Sequence, residues 1–328
     1  MVKKFIQLLA LISFFPALAQ EMPAVFNKNL VEGNSIINKV VSFESGDLIV
    51  AGGGSSKGYI AKLSEDGKVI FDRTIVNRGI DSYKDIILTK KESILAVGGG
   101  TLSTGAGRIS LFDSKGTPLF DKVFGENNGG YFTTVKEDLE GNFVAVGVSG
   151  GVLQQGRIVK FNINGKIIFD KLYNNSTVLN GLIIDQDNNI LAMGSSVDNS
   201  NGIGVLLKLN NSGAEVFHHS SPIAGGVYKD FKLLEDESLL AIGGGGYGSG
   251  NSPRITRIRT DGQVIFDKTY SNVDGIFTGL EVDPSGYIYV SAEEFDRGRM
   301  LGLRFDGTMV FNQETNTPLT SIKKGQDT

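Results

Sequence analysis

The sequence predicts an all-β fold made of six copies of one four-stranded unit. Three observations carry this. A hairpin of alternating apolar and polar residues around a turn recurs six times. An apolar strand, mostly ending in glycine, recurs ahead of each copy. No segment beyond the N-terminal leader shows helical periodicity.

The clearest hairpin runs from Gly156 to Tyr173, GRIVKFNINGKIIFDKLY, with its reversal at Asn164-Gly165. Both residue types tolerate φ > 0, so a tight turn is expected there. Similar copies begin at Gly58, Gly107 and Pro253, and weaker ones at Gly204 and Arg299. Their turn glycines, Gly67, Gly116, Gly165, Gly213, Gly262 and Gly307, are spaced by 49, 49, 48, 49 and 45 residues. Each hairpin supplies strands c and d of a unit. Strand b is the apolar segment upstream, as in LIVAGGG from Leu48, ILAVGGG from Ile94 and LLAIGGGG from Leu239. Strand a is a looser segment before it, as in INKVVSF from Ile37 and KDFKLLE from Lys229.

Four antiparallel strands in about 45–50 residues make a propeller blade, whose strands are apolar on both faces because neighbouring blades cover them. A unit this short does not make a stack of separate sandwich domains. Repeats three apart match: Tyr83-Lys84-Asp85 with Tyr228-Lys229-Asp230, Asn38 with Asn180, and Phe132-Thr133 with Phe277-Thr278, at offsets of 145, 142 and 145 residues. The expectation is a duplicated three-blade half. That gives a single β-propeller of six blades, each of four antiparallel strands, over residues 20–315, with a polar tail over 316–328. One segment is left over: Ala24–Leu30, AVFNKNL, reads as a seventh d strand.

The ends and the composition bound the setting. Lys3 and Lys4, the apolar run Phe5 to Phe15 and Ala17-Leu18-Ala19 form the pattern of a secretory signal peptide over residues 1–19. A membrane anchor is the alternative, but the run is short for a bilayer and Pro16 interrupts it. No membrane span is expected elsewhere. Export to the periplasm or the cell exterior is therefore expected. Cleavage leaves 309 residues (328 − 19), and loss of two lysines moves the formal charge from −4 to −6. An acidic chain argues against nucleic acid as a partner. There are no cysteines, which excludes disulfides, thiolate metal sites and a cysteine nucleophile.

Meander parity puts the a–b and c–d turns on one rim and the b–c and d–a loops on the other. The second rim carries the long loops, such as Gly98 to Gly107 and Gly243 to Pro253, so it is the expected working face. Short motifs are weighed against this frame. Gly243–Gly248 satisfies G-x-G-x-x-G, but Ser252-Pro253-Arg254 leads into a strand where a dinucleotide site needs a helix. Asp185–Asn189 begins like a calcium loop and lacks its glycine and final glutamate, so an a–b turn is expected. His218 and His219 are neighbours on an outer strand, point to opposite faces and read as surface residues. Asp72, Asp121, Asp170 and Asp267, each followed by Arg73, Lys122, Lys171 or Lys268, read as surface ion pairs.

The hairpin K-L-x-x-D-G-x-x-x-F-D, followed by a strand, a turn and an apolar strand ending in A-x-G, resembles the bacterial secreted propeller repeats of the delta-60 and SBBP type. The resemblance covers nearly the whole chain after the leader and implies an exported propeller with no fixed activity. Kelch, quinoprotein and sialidase propellers each use a tryptophan that this chain, with no Trp, does not have.

The function expected is that of a binding or scaffold module for a protein, peptide or glycan on the long-loop face, acting as a monomer. The alternative is a hydrolase or lyase with acids gathered near the central channel. No catalytic residue, metal ligand or cofactor is implied. Strand a is innermost in a propeller, so its first residues form the channel mouth: Asn38, Lys84, Thr133, Asn180, Lys229 and Thr278, with Asp85 and Asp230 beside the lysines. If six blades close the ring, Lys84 faces Lys229 across the axis and the mouth attracts a carboxylate, phosphate or acidic sugar. The competing expectation is that each lysine pairs with its neighbouring aspartate.

Overall fold

The computed structural model describes residues 36–54, 57–75, 82–100, 106–125, 129–150, 154–175, 177–198, 201–220, 227–244, 252–273, 275–294, 297–316 and 319. The leader, Ala24–Leu30, much of the long-loop rim and most of the tail lie outside them.

Among the described residues there is no helix, and the chain forms six four-stranded antiparallel units. Blade 1 is β1 (Ile36–Ser42), β2 (Leu48–Gly54), β3 (Lys57–Leu63) and β4 (Val69–Ile75). Blade 2 is β5 (Ser82–Leu88), β6 (Ile94–Gly99), β7 (Gly107–Phe112) and β8 (Pro118–Phe124). Blade 3 is β9 (Gly130–Glu137), β10 (Phe143–Ser149), β11 (Gln155–Phe161) and β12 (Ile167–Asn175). Blade 4 is β13 (Thr177–Ile184), β14 (Ile190–Asp198), β15 (Asn201–Leu209) and β16 (Glu215–Ser220). Blade 5 is β17 (Val227–Leu233), β18 (Leu239–Gly244), β19 (Pro253–Ile258) and β20 (Val264–Thr269). Blade 6 is β21 (Ile276–Val282), β22 (Ile288–Glu293), β23 (Gly298–Leu303) and β24 (Met309–Thr315). A bridge from Gly99 to Tyr131 joins blades 2 and 3 into one eight-stranded sheet.

The first strand of each blade is the innermost. β1, β5, β9, β13, β17 and β21 pack side by side in that order. Each carries one quartet: Ile37-Asn38-Lys39-Val40, Tyr83-Lys84-Asp85-Ile86, Phe132-Thr133-Thr134-Val135, Leu179-Asn180-Gly181-Leu182, Tyr228-Lys229-Asp230-Phe231 and Phe277-Thr278-Gly279-Leu280. The second residue of every quartet is skipped by the ladder to strand b, so each inner strand has a β-bulge there. The bulge explains the glycine of strand b. A Cβ on Gly52, Gly98, Gly147, Gly194 or Gly243 would lie 2.0, 2.2, 2.1, 2.0 or 1.8 Å from the carbonyl oxygen of Ile36, Ser82, Tyr131, Val178 or Val227. Blade 6 has Ala292 at the matching position.

The first and fourth quartet residues pack onto the preceding blade. Tyr83 and Ile86 join Ile49, Ala51 and Ile60 of blade 1, and Phe277 and Leu280 join Leu240, Ile242 and Ile255 of blade 5. The same happens between blades 2 and 3, 3 and 4, and 4 and 5. The core is therefore a chain of sandwiches between blades, and no blade buries its faces alone. β21 and β1 do not pack on one another in this way. The described strands thus leave a gap between blades 6 and 1 where a closed ring of six was expected.

The c–d turn differs from the two-residue reversal expected at Asn164-Gly165. Gly165 has φ +74° but Asn164 is not in the left-handed region. The turn spans Asn162–Gly165, with the Gly165 N–H donating to the Asn162 carbonyl at 2.8 Å. A register shift follows between Lys160 and Phe161. This is a four-residue turn closed by a glycine bulge. Asn162 Oδ1 holds it by accepting from the Asn164 and Lys166 N–H groups, both at 3.0 Å.

Candidate functional site in the inner strands

The eight expected site residues occupy two structural positions. Asn38, Lys84, Thr133, Asn180, Lys229 and Thr278 are the bulge residues, one per blade, so the sequence alignment between repeats is a structural equivalence. Two of them tie blades together, and a third reaches Leu319 beyond β24. Asn38 Nδ2 donates to Ser82 Oγ at 2.5 Å and to the Tyr83 carbonyl at 2.6 Å. Thr133 Oγ1 donates to the Leu179 carbonyl at 2.7 Å, and Thr278 Oγ1 to the Leu319 carbonyl at 2.7 Å. The other three, Lys84, Asn180 and Lys229, are exposed and have no side-chain partner among the described residues.

Asp85 and Asp230 hold the next blade. Asp85 Oδ2 accepts from Thr134 Oγ1 at 2.8 Å and from the Val135 N–H at 3.1 Å. Asp230 Oδ2 accepts from the Leu280 N–H at 3.2 Å, and Oδ1 accepts from the Phe231 N–H at 2.8 Å. Burial holds the Asp230 carboxyl above its usual range, outweighing those two bonds. Asp85 has a distant ion partner, Lys39, at 3.9 Å. The pairing of Lys84 with Asp85 and of Lys229 with Asp230 is therefore not made. Both carboxylates turn toward the neighbouring blade instead.

A cavity of about 590 Å³ lies along β9, β13 and β17, lined by Asn180, Lys229 and Asp230 together with Thr134, Lys136, Glu137 and Lys232. Lys84 is not among its lining residues, so the structure gathers only part of the expected mouth. Its charges divide cleanly. Lys232 pairs with Glu281, and Glu137 accepts from the Lys90 N–H at 2.9 Å with the Lys90 ammonium 4.0 Å away. Lys136 and Lys229 are exposed and have no partner among the described residues. Sequence reading missed Lys136, which lies three residues beyond the bulge residue Thr133 of blade 3. A second cavity, of about 440 Å³, opens between the a–b turns of blades 5 and 6, beside Asp236, Pro284 and Phe305, and shares Lys232 with the first, which also reaches Leu139 in the a–b turn of blade 3. Among the described residues, no three His, Asp or Glu side chains gather as a metal site.

The recurring aspartates of strand d are not paired with the basic residue that follows them. Asp121, Asp170 and Asp267 take the guanidinium of Arg108, Arg157 and Arg254 across the hairpin. Nε bonds of 2.5, 2.9 and 2.6 Å make the contact two-pronged with a second guanidinium nitrogen. Arg108 and Arg254 are buried. In blades 2 and 5 the network extends inward: Tyr83 OH donates to Ser110 Oγ at 2.8 Å, and Tyr228 OH to Thr256 Oγ1 at 3.0 Å. Ser110 and Thr256 then donate to Asp121 and Asp267 at 2.9 and 3.1 Å. Burial pushes the Tyr83 hydroxyl up to about 12. The signal for these pairs was an Arg thirteen residues before the Asp in three of the six hairpins.

The histidines also differ from expectation. They do point to opposite faces, and His218 Nε2 lies 3.2 Å from Ser220 Oγ. His219, though, turns into the interface with blade 5, where its Nε2 is buried without a hydrogen-bond partner among the described residues. Burial lowers its pKa, and the nearby Asp267 opposes that shift while Arg254 and His218 reinforce it. Asp185–Asn189 is an a–b turn: Asp185 Oδ1 accepts from the Asp187 and Asn189 N–H groups at 3.1 and 2.7 Å, and Oδ2 lies 3.2 Å from Lys208 Nζ.

No protein-family model matches this sequence, and no curated protein matches it. Solved structures do. The Dos1 propeller superposes with a TM-score of 0.63 at 12% identity, covering 88% of this chain and 72% of that one. The chain is a β-propeller. A periplasmic gluconolactonase from Pseudomonas aeruginosa gives a TM-score of 0.59 at 13% identity, covering 84% of each chain. A catalytically inactive virginiamycin B lyase from Staphylococcus aureus, bound to quinupristin, gives 0.58 at 13% identity over 88% of this chain and 86% of that one. At such identities the likeness is one of fold.

Proposed function

We propose that this propeller is an exported binding module for an acidic saccharide, held by Lys136, Lys229 and Asn180 in the cavity along β9, β13 and β17. The observation that carries the reading is the division of charge there. Each acid of the cavity is engaged by a backbone N–H, and Glu137 by the Lys90 ammonium as well, while two ammonium groups and one carboxamide are open to solvent. A surplus of free cations in a concave site attracts carboxylate or phosphate groups, and about 300–1,000 Å³ is the range of ligand pockets. The reading fits the leader pattern of residues 1–19 and a setting in the periplasm or outside the cell.

Calorimetric titration with a uronic-acid oligosaccharide and with its neutral counterpart tests this. Binding of the acidic sugar alone is expected, weakening as salt rises. The double variant Lys136→Ala/Lys229→Ala loses that binding while its melting temperature stays within about 2 °C of the parent, since exposed unpaired lysines add little stability. Equal affinity for the neutral sugar, or unaltered binding by the double variant, overturns the proposal. Turnover of the sugar or of a lactone panel replaces it with the hydrolase or lyase reading.

A further inference from the structure

We infer that the cavity along β9, β13 and β17 takes up its acidic ligand together with a proton, which Asp230 carries and shares with the ligand's carboxylate. This uptake rests on the anion-site reading of that cavity. The contrast between Asp230 and Asp85, the same quartet position three blades earlier, leads there.

Asp85 is fully used. Its Oδ1 accepts from the Ile86 N–H at 3.0 Å and lies 3.9 Å from the Lys39 ammonium. Its Oδ2 accepts from Thr134 Oγ1 at 2.8 Å and from the Val135 N–H at 3.1 Å. A carboxylate offers about four lone-pair sites, so three hydrogen bonds and an ammonium leave none over. Asp85 is buried and does not line the cavity.

Asp230 keeps the two backbone bonds and has neither of the other partners. Its Oδ1 accepts from the Phe231 N–H at 2.8 Å and its Oδ2 from the Leu280 N–H at 3.2 Å. Lys39 and Thr134 are the third quartet residues of blades 1 and 3. The third quartet residues of blades 4 and 6 are Gly181 and Gly279, so the ammonium and the hydroxyl are both replaced by glycine. A Cβ on Gly181 would lie 2.7 Å from the ring of Phe231, whose counterpart in blade 2 is the smaller Ile86. Asp230 is half-buried and lines the cavity with Asn180 and Lys229. Two of its lone-pair sites have no partner among the described residues.

The neighbouring charges decide what such a carboxyl does. On its own strand, Lys232 pairs with Glu281 of β21. On β9, Glu137 faces the Lys90 ammonium at 4.0 Å, and on β15 Lys208 is held by Asp185. β13 and β18 carry no titratable residue, and β14 lines the cavity with Met193. The open charges left in the cavity are Lys136, Lys229 and Asp230. The two ammonium groups draw an anion in, and the anion then opposes the charge of Asp230. Two carboxylates brought close hold one proton between them, because the second cannot ionise beside the first. Burial already holds Asp230 above the ordinary range, so the proton is taken from solvent under mildly acid conditions. A protonated carboxyl gains an O–H donor and keeps acceptor capacity, so both backbone bonds survive.

Calorimetric titration of the uronic-acid oligosaccharide, at pH 7.5, 6 and 5 and in buffers of differing ionisation enthalpy, tests this. The parent is expected to bind about threefold or more tighter at pH 5 than at pH 7.5, taking up roughly 0.3 or more protons per ligand at pH 6. Asp230→Asn is expected to bind with no proton uptake and an affinity that no longer changes with pH. Gly279→Thr restores the hydroxyl that Asp85 has, and is expected to lower the uptake to less than half. It gives a second reading if Asp230→Asn does not fold. Binding by the parent without proton uptake overturns the inference and leaves the anion site standing. Uptake that is unchanged in Asp230→Asn, or in Gly279→Thr if only that variant folds, does the same. Absence of binding by the parent at all three pH values overturns both.

Discussion

Removing the ammonium of Lys160 is expected to cost this propeller about 3 kcal/mol at pH 7, the low end of the penalty for breaking a buried pair. The side chains of Lys160 and Asp138 are 2% and 1% exposed, with Nζ and Oδ2 2.7 Å apart. Burial alone would raise the Asp138 carboxyl, but Lys160 and the N–H groups of Asn142 and Glu140 together hold it below the usual carboxylate range. Lys160→Met keeps the buried stem and deletes the charge. Asp138 Oδ1 still accepts the Glu140 and Asn142 N–H groups, each at 2.8 Å, which softens the loss. Protonation sets the ceiling: neutralising a carboxyl of ordinary pKa near 4 at pH 7 costs about 4 kcal/mol, so the variant takes up a proton before losing more. The sign with pH follows. In the parent, the depressed Asp138 contributes stability that is present above the unfolded pKa and is lost as pH falls through the folded value. In the variant the carboxyl is raised, so protonation relieves it and the deficit falls to roughly 1.5 kcal/mol by pH 5. Urea unfolding of both proteins at pH 7 and pH 5 measures this. A deficit below about 0.5 kcal/mol at pH 7, or one unchanged at pH 5, refutes the reasoning.

Two further outcomes follow from the interior. Gly243→Ala puts a methyl 1.8 Å from the Val227 carbonyl oxygen, and thermal unfolding is expected to show a loss of roughly 1–3 kcal/mol; a neutral result would mean the bulge does not require glycine. His219, whose pKa is lowered by burial against blade 5, contributes stability that is present above the ordinary histidine range and lost as pH falls through its depressed value. His219→Gln is expected to flatten the fall in melting temperature between pH 7 and pH 5, and an unaltered slope removes His219 as its source.

Local chemistry was legible in the sequence because it repeats and acts over a few residues. Alternation marked the strands, glycines at a period near 49 marked the turns, and Asn38, Lys84 and their counterparts were aligned on sequence alone. That alignment met a physical constraint: each is the bulge residue opposite a glycine or alanine of strand b. What each does was decided by tertiary structure. Asn38 and Thr133 reach a carbonyl of the next blade, while Lys229 in the same position has no partner among the described residues, and Asp230 beside it turns to the Leu280 N–H of the next blade. Arg254 and Asp267 are thirteen residues apart and meet only once the hairpin folds. Lys136 and Lys229 share a cavity only because blades 3, 4 and 5 stand side by side, which no local pattern records. Sequence thus determined the strands and the period, through backbone geometry. The contacts between blades determined which polar groups were spent on structure and which were left exposed, since that depends on residues about fifty positions apart meeting in space.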